Sequence, residues 1–124
     1  MRNIKFRGKR KDNGKWVYGY FLVNQFDEYT ICDKTFAAAV MPETVGCSTG
    51  FYDLENREIY QDDILRFSCF NYEVIWHDDT GSWGCKPIQQ EHYITTTKAL
   101  FEILRTEDCS TIGNKIDNPE LLEN

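Results

Sequence analysis

The sequence lacks several features that would assign it to a familiar functional class. It has three prolines and two histidines in 124 residues, and it contains no phosphate-cradling glycine loop, no GxSxG elbow and no HExxH helix. No run approaches the roughly 20 apolar residues that span a bilayer, and the N-terminal stretch MRNIKFRGKRK lacks the apolar core of a secretory signal. We therefore expect a globular, cytoplasmic protein with no membrane partner, no cofactor and no enzymatic activity.

The cysteines do not form a recognisable framework. All five lie apart from one another, without a CxxC pair: Cys32, Cys47, Cys69, Cys85 and Cys109. An odd number argues against a set of disulfides, and the missing pairs argue against a zinc knuckle. Cys69, His77, Cys85 and His92 would be able to surround a zinc ion if neighbouring strands brought them together. Packed thiols and surface histidines are the favoured interpretation.

Charge is distributed unevenly along the chain. Residues 1–15 carry seven basic side chains and one acidic side chain, a balance of +6, whereas residues 16–124 have a balance of −12. An acidic body repels a nucleic-acid duplex over a Debye length of about 8 Å in physiological salt. The charge pattern therefore favours a protein partner over nucleic acid.

The basic N-terminal arm is the candidate binding site. Lys5, Arg7 and Lys9 are predicted to share one strand face, with Arg10 entering the turn that follows. Such a stripe would be able to bind a phosphate backbone or an acidic protein. The alternative, which we favour, is a solvated face that neutralises the acidic body, including that of a neighbouring subunit.

Acidic pairs and tryptophans in the second half have alternative interpretations. Asp62-Asp63 and Asp78-Asp79 are candidate catalytic or metal-binding carboxylates, but neighbouring strand residues point to opposite faces and turns favour Asp. Trp76 and Trp83 flank one hairpin and would be able to stack bases of a single strand. Structural roles are favoured in both cases, with the tryptophans in the core of a small β fold.

The hydrophobic pattern predicts a mainly β protein. Ile4 to Lys9 alternates with period two, Asp12-Asn13-Gly14 predicts a tight turn, and residues 15–24 read as the returning strand. We expect an N-terminal β-hairpin or small sheet, residues 1–48, packed on an SH3-like barrel subdomain, residues 49–124. Entry into the barrel requires a sharp bend, and Asp62 is able to adopt a left-handed conformation there.

Helical structure is predicted at two places. Leu100, Ile103 and Leu104 have helical spacing, with Thr96 or Thr97 as the N-cap, so one short helix should precede the last strand. Asn118-Pro119 then begins a C-terminal helical turn.

Short motifs distributed along the chain resemble those of the YopX family of phage and prophage proteins. They are IKFR (Ile4–Arg7), PETVG (Pro42–Gly46), Thr49-Gly50 followed by Asp53, EIY (Glu58–Tyr60), Asp63-Ile64, IGN (Ile112–Asn114) and NPELLE (Asn118–Glu123). The resemblance implies a phage or prophage origin, a location in the bacterial host cytoplasm, a mainly β fold and a homo-oligomer. It implies no catalytic residues.

We therefore expect a non-catalytic, oligomeric binding module whose partner is a copy of itself or a host or phage protein. The alternative is a nucleic-acid-binding accessory factor that uses Lys5, Arg7, Lys9 and Arg10 together with the barrel aromatics.

Overall fold

A computed structural model describes residues 4–67, 69–88, 97–106 and 108–123. The chain divides into two compact units, Met1–Ser48 and Thr49–Asn124. Strands make up 52% of the described residues and belong to two antiparallel sheets, so the predicted mainly β class is confirmed. None of the helices in the described part of the chain has the length and apolar character that a membrane crossing requires.

The N-terminal unit is built from antiparallel strands in the spatial order β4-β3-β2-β1. Their bounds are β1 (Phe6–Lys9), β2 (Trp16–Val23), β3 (Tyr29–Cys32) and β4 (Ala37–Ala39), with a 3-10 turn at Pro42–Thr44. Between β1 and β2, Gly14 adopts a φ of 70° and the Asn13 side chain accepts a hydrogen bond from the Lys15 N–H. The predicted hairpin is therefore confirmed, and its turn depends on the tolerance of glycine for positive φ.

The core of this unit lies on one face of its sheet. Ile31 and Val40 are fully buried, and the rings of Phe6 and Phe21 pack with their centroids 5.5 Å apart. Phe21 also contacts Tyr29 edge to face, at 5.2 Å. Apolar side chains of β1, β2 and β3 therefore meet on the side opposite the predicted basic stripe.

Strand β5 (Gly46–Tyr52) begins in the N-terminal unit and ends in the C-terminal unit. Its first two residues pair with β1, and it also neighbours β6 (Glu58–Tyr60).

The C-terminal unit contains a second antiparallel sheet in the order β10-β9-β8-β7-β11. The bounds are β7 (Asp63–Phe67), β8 (Phe70–His77), β9 (Ser82–Pro87), β10 (Lys98–Ala99) and β11 (Ser110–Asn114), with helix α1 (Leu100–Thr106) and a 3-10 turn at Pro119–Leu122. Asp62, just before β7, has a φ of 73°, which confirms its predicted left-handed conformation. The described strands do not close into a barrel, so the SH3-like barrel is not confirmed.

The core of the C-terminal unit is formed by strands β6 to β9 and by α1. Leu65, Val74 and Cys85 are fully buried, and the rings of Phe67 and Tyr72 stack with centroids 4.0 Å apart. Trp83 packs partly against this cluster, but Trp76 is 47% exposed. The prediction that both tryptophans are core residues is therefore wrong for Trp76, which lies at the outer end of the same face.

Helix α1 confirms the predicted helix before the last strand and corrects its start. Leu100 and Ile103 are buried and Leu104 is partly buried, as their spacing predicted. Thr97 is not the N-cap, because the strand β10 separates it from the helix. Thr96 lies outside the described residues.

Candidate binding face of the N-terminal unit

The register of β1 and β2 places basic and aromatic side chains on one face. Arg7 lies opposite Tyr18, and Lys9 lies opposite Trp16; directly opposed residues of an antiparallel pair share a face. The guanidinium of Arg7 is 4.6 Å from the centroid of the Trp16 ring, and the Lys9 ammonium is 5.4 Å from it. Both distances lie within the range of about 6 Å for cation–π attraction. Arg7 and Lys9 therefore share a face as predicted, and Trp16 joins them.

The basic arm is not a row of four exposed cations. Arg7 is only 6% exposed. Arg10 forms two hydrogen bonds of 2.9 Å with the carboxylate of Asp12. These hydrogen bonds raise the pKa of Arg10 and lower the pKa of Asp12. Sequence reasoning identified the charges but missed the aromatic and acidic partners that engage them within the chain.

Lys5 borders a surface cleft of about 330 Å³ in the same unit. Tyr18, Gly19, Tyr20 and Asp33 complete its lining. Hydrogen bonds from the backbone N–H and the hydroxyl of Thr35 lower the pKa of the Asp33 carboxyl. The cleft therefore combines two phenol rings with an ammonium group and a carboxylate.

Apolar surface continues from this cleft along β2. Tyr18, Tyr20 and Leu22 alternate along the strand and are 48%, 52% and 41% exposed. Large side chains that are exposed together on one face are typical of interaction surfaces. We refer to Lys5, Tyr18, Tyr20 and Leu22 as the tyrosine face.

The carboxylate pairs of the second half differ in their surroundings. Asp63 is buried, and its carboxylate accepts a hydrogen bond of 2.8 Å from the Tyr60 N–H, which fixes the chain at the entry to β7. Asp78 and Asp79 are exposed in the turn between β8 and β9. Asp62 contributes its left-handed backbone conformation, so these residues shape turns and strand entry.

The zinc hypothesis finds no support in the described residues. Within them, no group of three or more His, Cys, Asp or Glu side chains is placed to hold a metal ion, and His92 lies outside them. All five cysteines are described, and none of them forms a disulfide. Burial raises the pKa of Cys85 to about 12 and that of Cys109 to about 11, so both thiols stay protonated near neutral pH.

The comparison with a known protein family covers almost the whole chain. A family model described as YopX protein matches residues 5–123. The chain belongs to the YopX protein family. No curated protein matches the chain. The family resemblance seen in the sequence motifs is thereby confirmed.

One YopX motif residue, Asp53, organises a polar network. Its carboxylate accepts hydrogen bonds from the backbone N–H groups of Glu55, Arg57 and Thr111, at 2.9 to 3.1 Å, and from the Arg57 guanidinium at 3.1 Å. The side chain of Asp53 is fully buried. This carboxylate therefore holds the turn before β6 against β11.

Two further YopX motifs, IGN and NPELLE, interlock at the end of the chain. The Asn118 side-chain oxygen accepts a hydrogen bond of 3.1 Å from the Asn114 N–H, and the Asn114 side chain accepts bonds from the N–H groups of Ile116 and Asp117. Asn118 is the residue before the 3-10 turn, as predicted, but its side chain makes no capping bond to that turn. The residues of these two motifs therefore shape the end of the chain, whereas the tyrosine face takes only Lys5 from a YopX motif.

Proposed function

We propose that this YopX-family protein is a phage-encoded, non-catalytic binding module that assembles with copies of itself through the tyrosine face. The observation that carries the proposal is the exposure of Tyr18, Tyr20 and Leu22 on one face of β2. Tyrosine is enriched among the residues that contribute most to protein interfaces, because its ring buries a large area at a small entropic cost.

Charge complementarity supports a second copy as the partner. Residues 1–48 carry eight basic and five acidic side chains, a balance of +3, whereas residues 49–124 carry six basic and fifteen acidic side chains, a balance of −9. Each copy therefore contains a cationic unit and an anionic unit. Contact between the cationic unit of one copy and the anionic unit of another brings opposite charges together around the tyrosines, which favours association.

The test compares the solution mass of the protein with that of matched variants. Tyr18→Ser and Tyr20→Ser should each shift the assembly toward the monomer in light scattering after size exclusion. Tyr52→Ser is the control, because Tyr52 is as exposed as Tyr20 and lies on β5. An assembly that survives both tyrosine-face substitutions, or that Tyr52→Ser disrupts equally, contradicts the proposal.

A second candidate is single-stranded nucleic-acid binding by the same unit. The observation in its favour is the interleaving of Arg7 and Lys9 with Trp16 and Tyr18 on one face, since aromatic rings stack bases and cations follow the backbone. The internal partners of Arg7 and Arg10 weigh against it. Titration with a fluorescent oligonucleotide at low and moderate salt separates the candidates, because nucleic-acid affinity falls steeply with salt. If the protein does not bind the oligonucleotide at low salt, this candidate is ruled out.

We also infer an SH3-like arrangement for the C-terminal unit. In its five-stranded sheet, the strand that comes first in the chain, β7, pairs with the strand that comes last, β11, and α1 precedes β11. Pairing of the first and last strands is the step that brings a meander toward closure. Interstrand contacts measured by NMR on the intact chain test this inference.

A further inference from the structure

The end of the β8–β9 hairpin combines an exposed aromatic side chain with two carboxylates. Trp76 is 47% exposed, and Asp78 and Asp79 are exposed in the turn that follows it. Tryptophan is among the side chains that contribute most to protein interfaces, where a pocket of the partner removes it from water. Two adjacent carboxylates repel the phosphates of a nucleic acid, so this tryptophan is better suited to a protein partner. We refer to Trp76, Asp78 and Asp79 as the hairpin end.

The hairpin end is held in a fixed shape by contacts of its own. The Trp76 ring meets Trp83 edge to face, with centroids 5.2 Å apart and an interplanar angle of 76°, and Trp83 packs against the buried core. In the turn, the Gly81 N–H donates to the His77 carbonyl at 2.9 Å, and the Thr80 hydroxyl lies 3.2 Å from the His77 Nδ1 atom. Because these groups are already ordered, binding them costs little conformational entropy.

The tyrosine face offers a concave surface that complements the hairpin end in shape. Its cleft of about 330 Å³ is lined in part by Lys5, Tyr18 and Tyr20. Because Phe6 pairs with Gly19, Lys5 lies opposite Tyr20, and the three side chains share one face. The cleft volume lies within the range of about 300 to 1,000 Å³ typical of small-ligand sites, so the cleft has room for an indole ring.

The two surfaces also differ in charge. Lys5 borders the cleft, whereas the hairpin end carries two carboxylates. Asp33 borders the cleft as well, but its carboxylate accepts hydrogen bonds from the backbone N–H and the hydroxyl of Thr35, which stabilise its charge within its own turn. The ammonium of Lys5 is therefore the group in the cleft that attracts an approaching carboxylate.

We propose that the hairpin end of one copy docks into the cleft on the tyrosine face of another copy. Trp76 enters the cleft beside Tyr18 and Tyr20, and the Asp78-Asp79 turn pairs with Lys5. The inference rests on the proposed self-assembly and deepens it by naming the partner surface. Because the two surfaces are different patches of one chain, every copy carries both halves of the interaction.

The first test compares two exposed aromatic side chains of the C-terminal unit. Trp76→Ser should weaken self-association by about 30-fold or more in sedimentation velocity over a range of concentrations, because it removes the side chain that fills the cleft. Phe101→Ser is the control, since Phe101 is 45% exposed and lies on α1, and it should leave self-association unchanged. Far-UV circular dichroism establishes that both variants are folded.

A charge exchange tests the same contact without changing the tryptophan. Asp78→Lys and Lys5→Glu should each weaken self-association by about threefold or more, and a chain with both changes should recover to within about twofold of the unmodified protein. Glu120→Lys reverses an exposed charge in the C-terminal 3-10 turn, so it should have a smaller effect than Asp78→Lys. Equal effects of these two variants, or no recovery in the double variant, overturn the inference.

A mixture of two defective variants separates this inference from the proposed function. Trp76→Ser keeps an intact cleft and Tyr20→Ser keeps an intact hairpin end, so together they should form a dimer with one copy of each where either variant alone is monomeric. If Tyr20→Ser disrupts the assembly and Trp76→Ser does not, or if the mixture stays monomeric, the inference is overturned and assembly through the tyrosine face stands. If the unmodified protein is monomeric at every concentration, both proposals are overturned.

Discussion

The carboxylate of Asp53 accepts a hydrogen bond of 3.1 Å from the backbone N–H of Thr111, although the two residues are 58 positions apart. The same turn donates the Leu54 N–H to the Cys109 carbonyl at 2.9 Å and the Arg57 guanidinium to the Thr111 carbonyl at 3.0 Å. Among the described strands, β11 is at the end of its sheet and pairs only with β7. The turn therefore satisfies backbone groups along an edge that would otherwise invite pairing with another chain.

Replacing Asp53 by Asn should destabilise the protein by about 2 to 4 kcal/mol, because an amide NH₂ would face buried N–H donors that now meet a carboxylate oxygen. Urea denaturation followed by far-UV circular dichroism measures the change. Asp12→Asn is the control, since the Asp12 side chain is 64% exposed and pairs with Arg10 at the surface. A loss for Asp53→Asn no larger than that for Asp12→Asn would contradict the assigned role of this carboxylate.

The stability of the protein should depend on pH through the same group. Burial alone raises the pKa of the Asp53 carboxyl, but hydrogen bonds from Arg57 and Thr111 and the Arg57 charge outweigh it and lower the pKa below its usual range. A carboxyl with a lowered pKa stabilises the fold above the unfolded value of about 3.9, and this contribution is lost as the pH falls through the folded pKa. Denaturation curves should show that the unmodified protein loses stability between neutral and acidic pH, and that Asp53→Asn loses less over the same range. Parallel profiles for both proteins would contradict this assignment.

The backbone at Asp62 predicts an order of stabilities. A φ of 73° costs an L-residue without a local hydrogen bond about 1 to 2 kcal/mol, and glycine avoids this cost. Asp62→Gly should therefore be more stable than Asp62→Ala by about 1 kcal/mol. Asp79 is an exposed turn residue without positive φ, so there Asp79→Ala should be more stable than Asp79→Gly. Thermal or urea denaturation of the four variants measures their stabilities. If glycine and alanine rank in the same order at both positions, the assigned cost of positive φ at Asp62 is contradicted.

The interlocked YopX motifs predict a coupling between Gly113 and Asn118. A Cβ at Gly113 would lie 2.5 Å from the Asn118 side-chain oxygen and 3.0 Å from a methyl of Leu121, so Gly113→Ala should cost about 1 to 3 kcal/mol. Asn118→Ala removes the closest of these atoms, so the same alanine should cost less in that background. A double-mutant cycle measures this difference directly. Additive losses would show that Asn118 does not restrict position 113.

Local chemistry made several elements of the fold predictable. The turn at Asp12 to Gly14, the left-handed Asp62 and the apolar face of α1 each depend on residues close in sequence. The start of α1 was misplaced because β10 occupies the two residues before it, and pairing with β9 is a tertiary effect that capping preferences do not contain.

The candidate site was predicted only in outline. Period-two alternation shows that Arg7 and Lys9 share a face, but it does not show that Arg7 is buried or that Trp16 lies beneath both cations. The exposure of Trp76 was missed for a related reason. Val74 on the same face is buried and Trp76 is not, so the depth of a residue along a strand depends on what packs over it.

The most direct test of the central claim is the mass of the unmodified protein by sedimentation equilibrium over a range of concentrations and at two salt concentrations. A chain of 14.6 kDa that assembles through oppositely charged units should show a multiple of that mass at low salt. The multiple should decrease as salt screens the charges. A mass of 14.6 kDa at every concentration in low salt would contradict self-assembly through the tyrosine face.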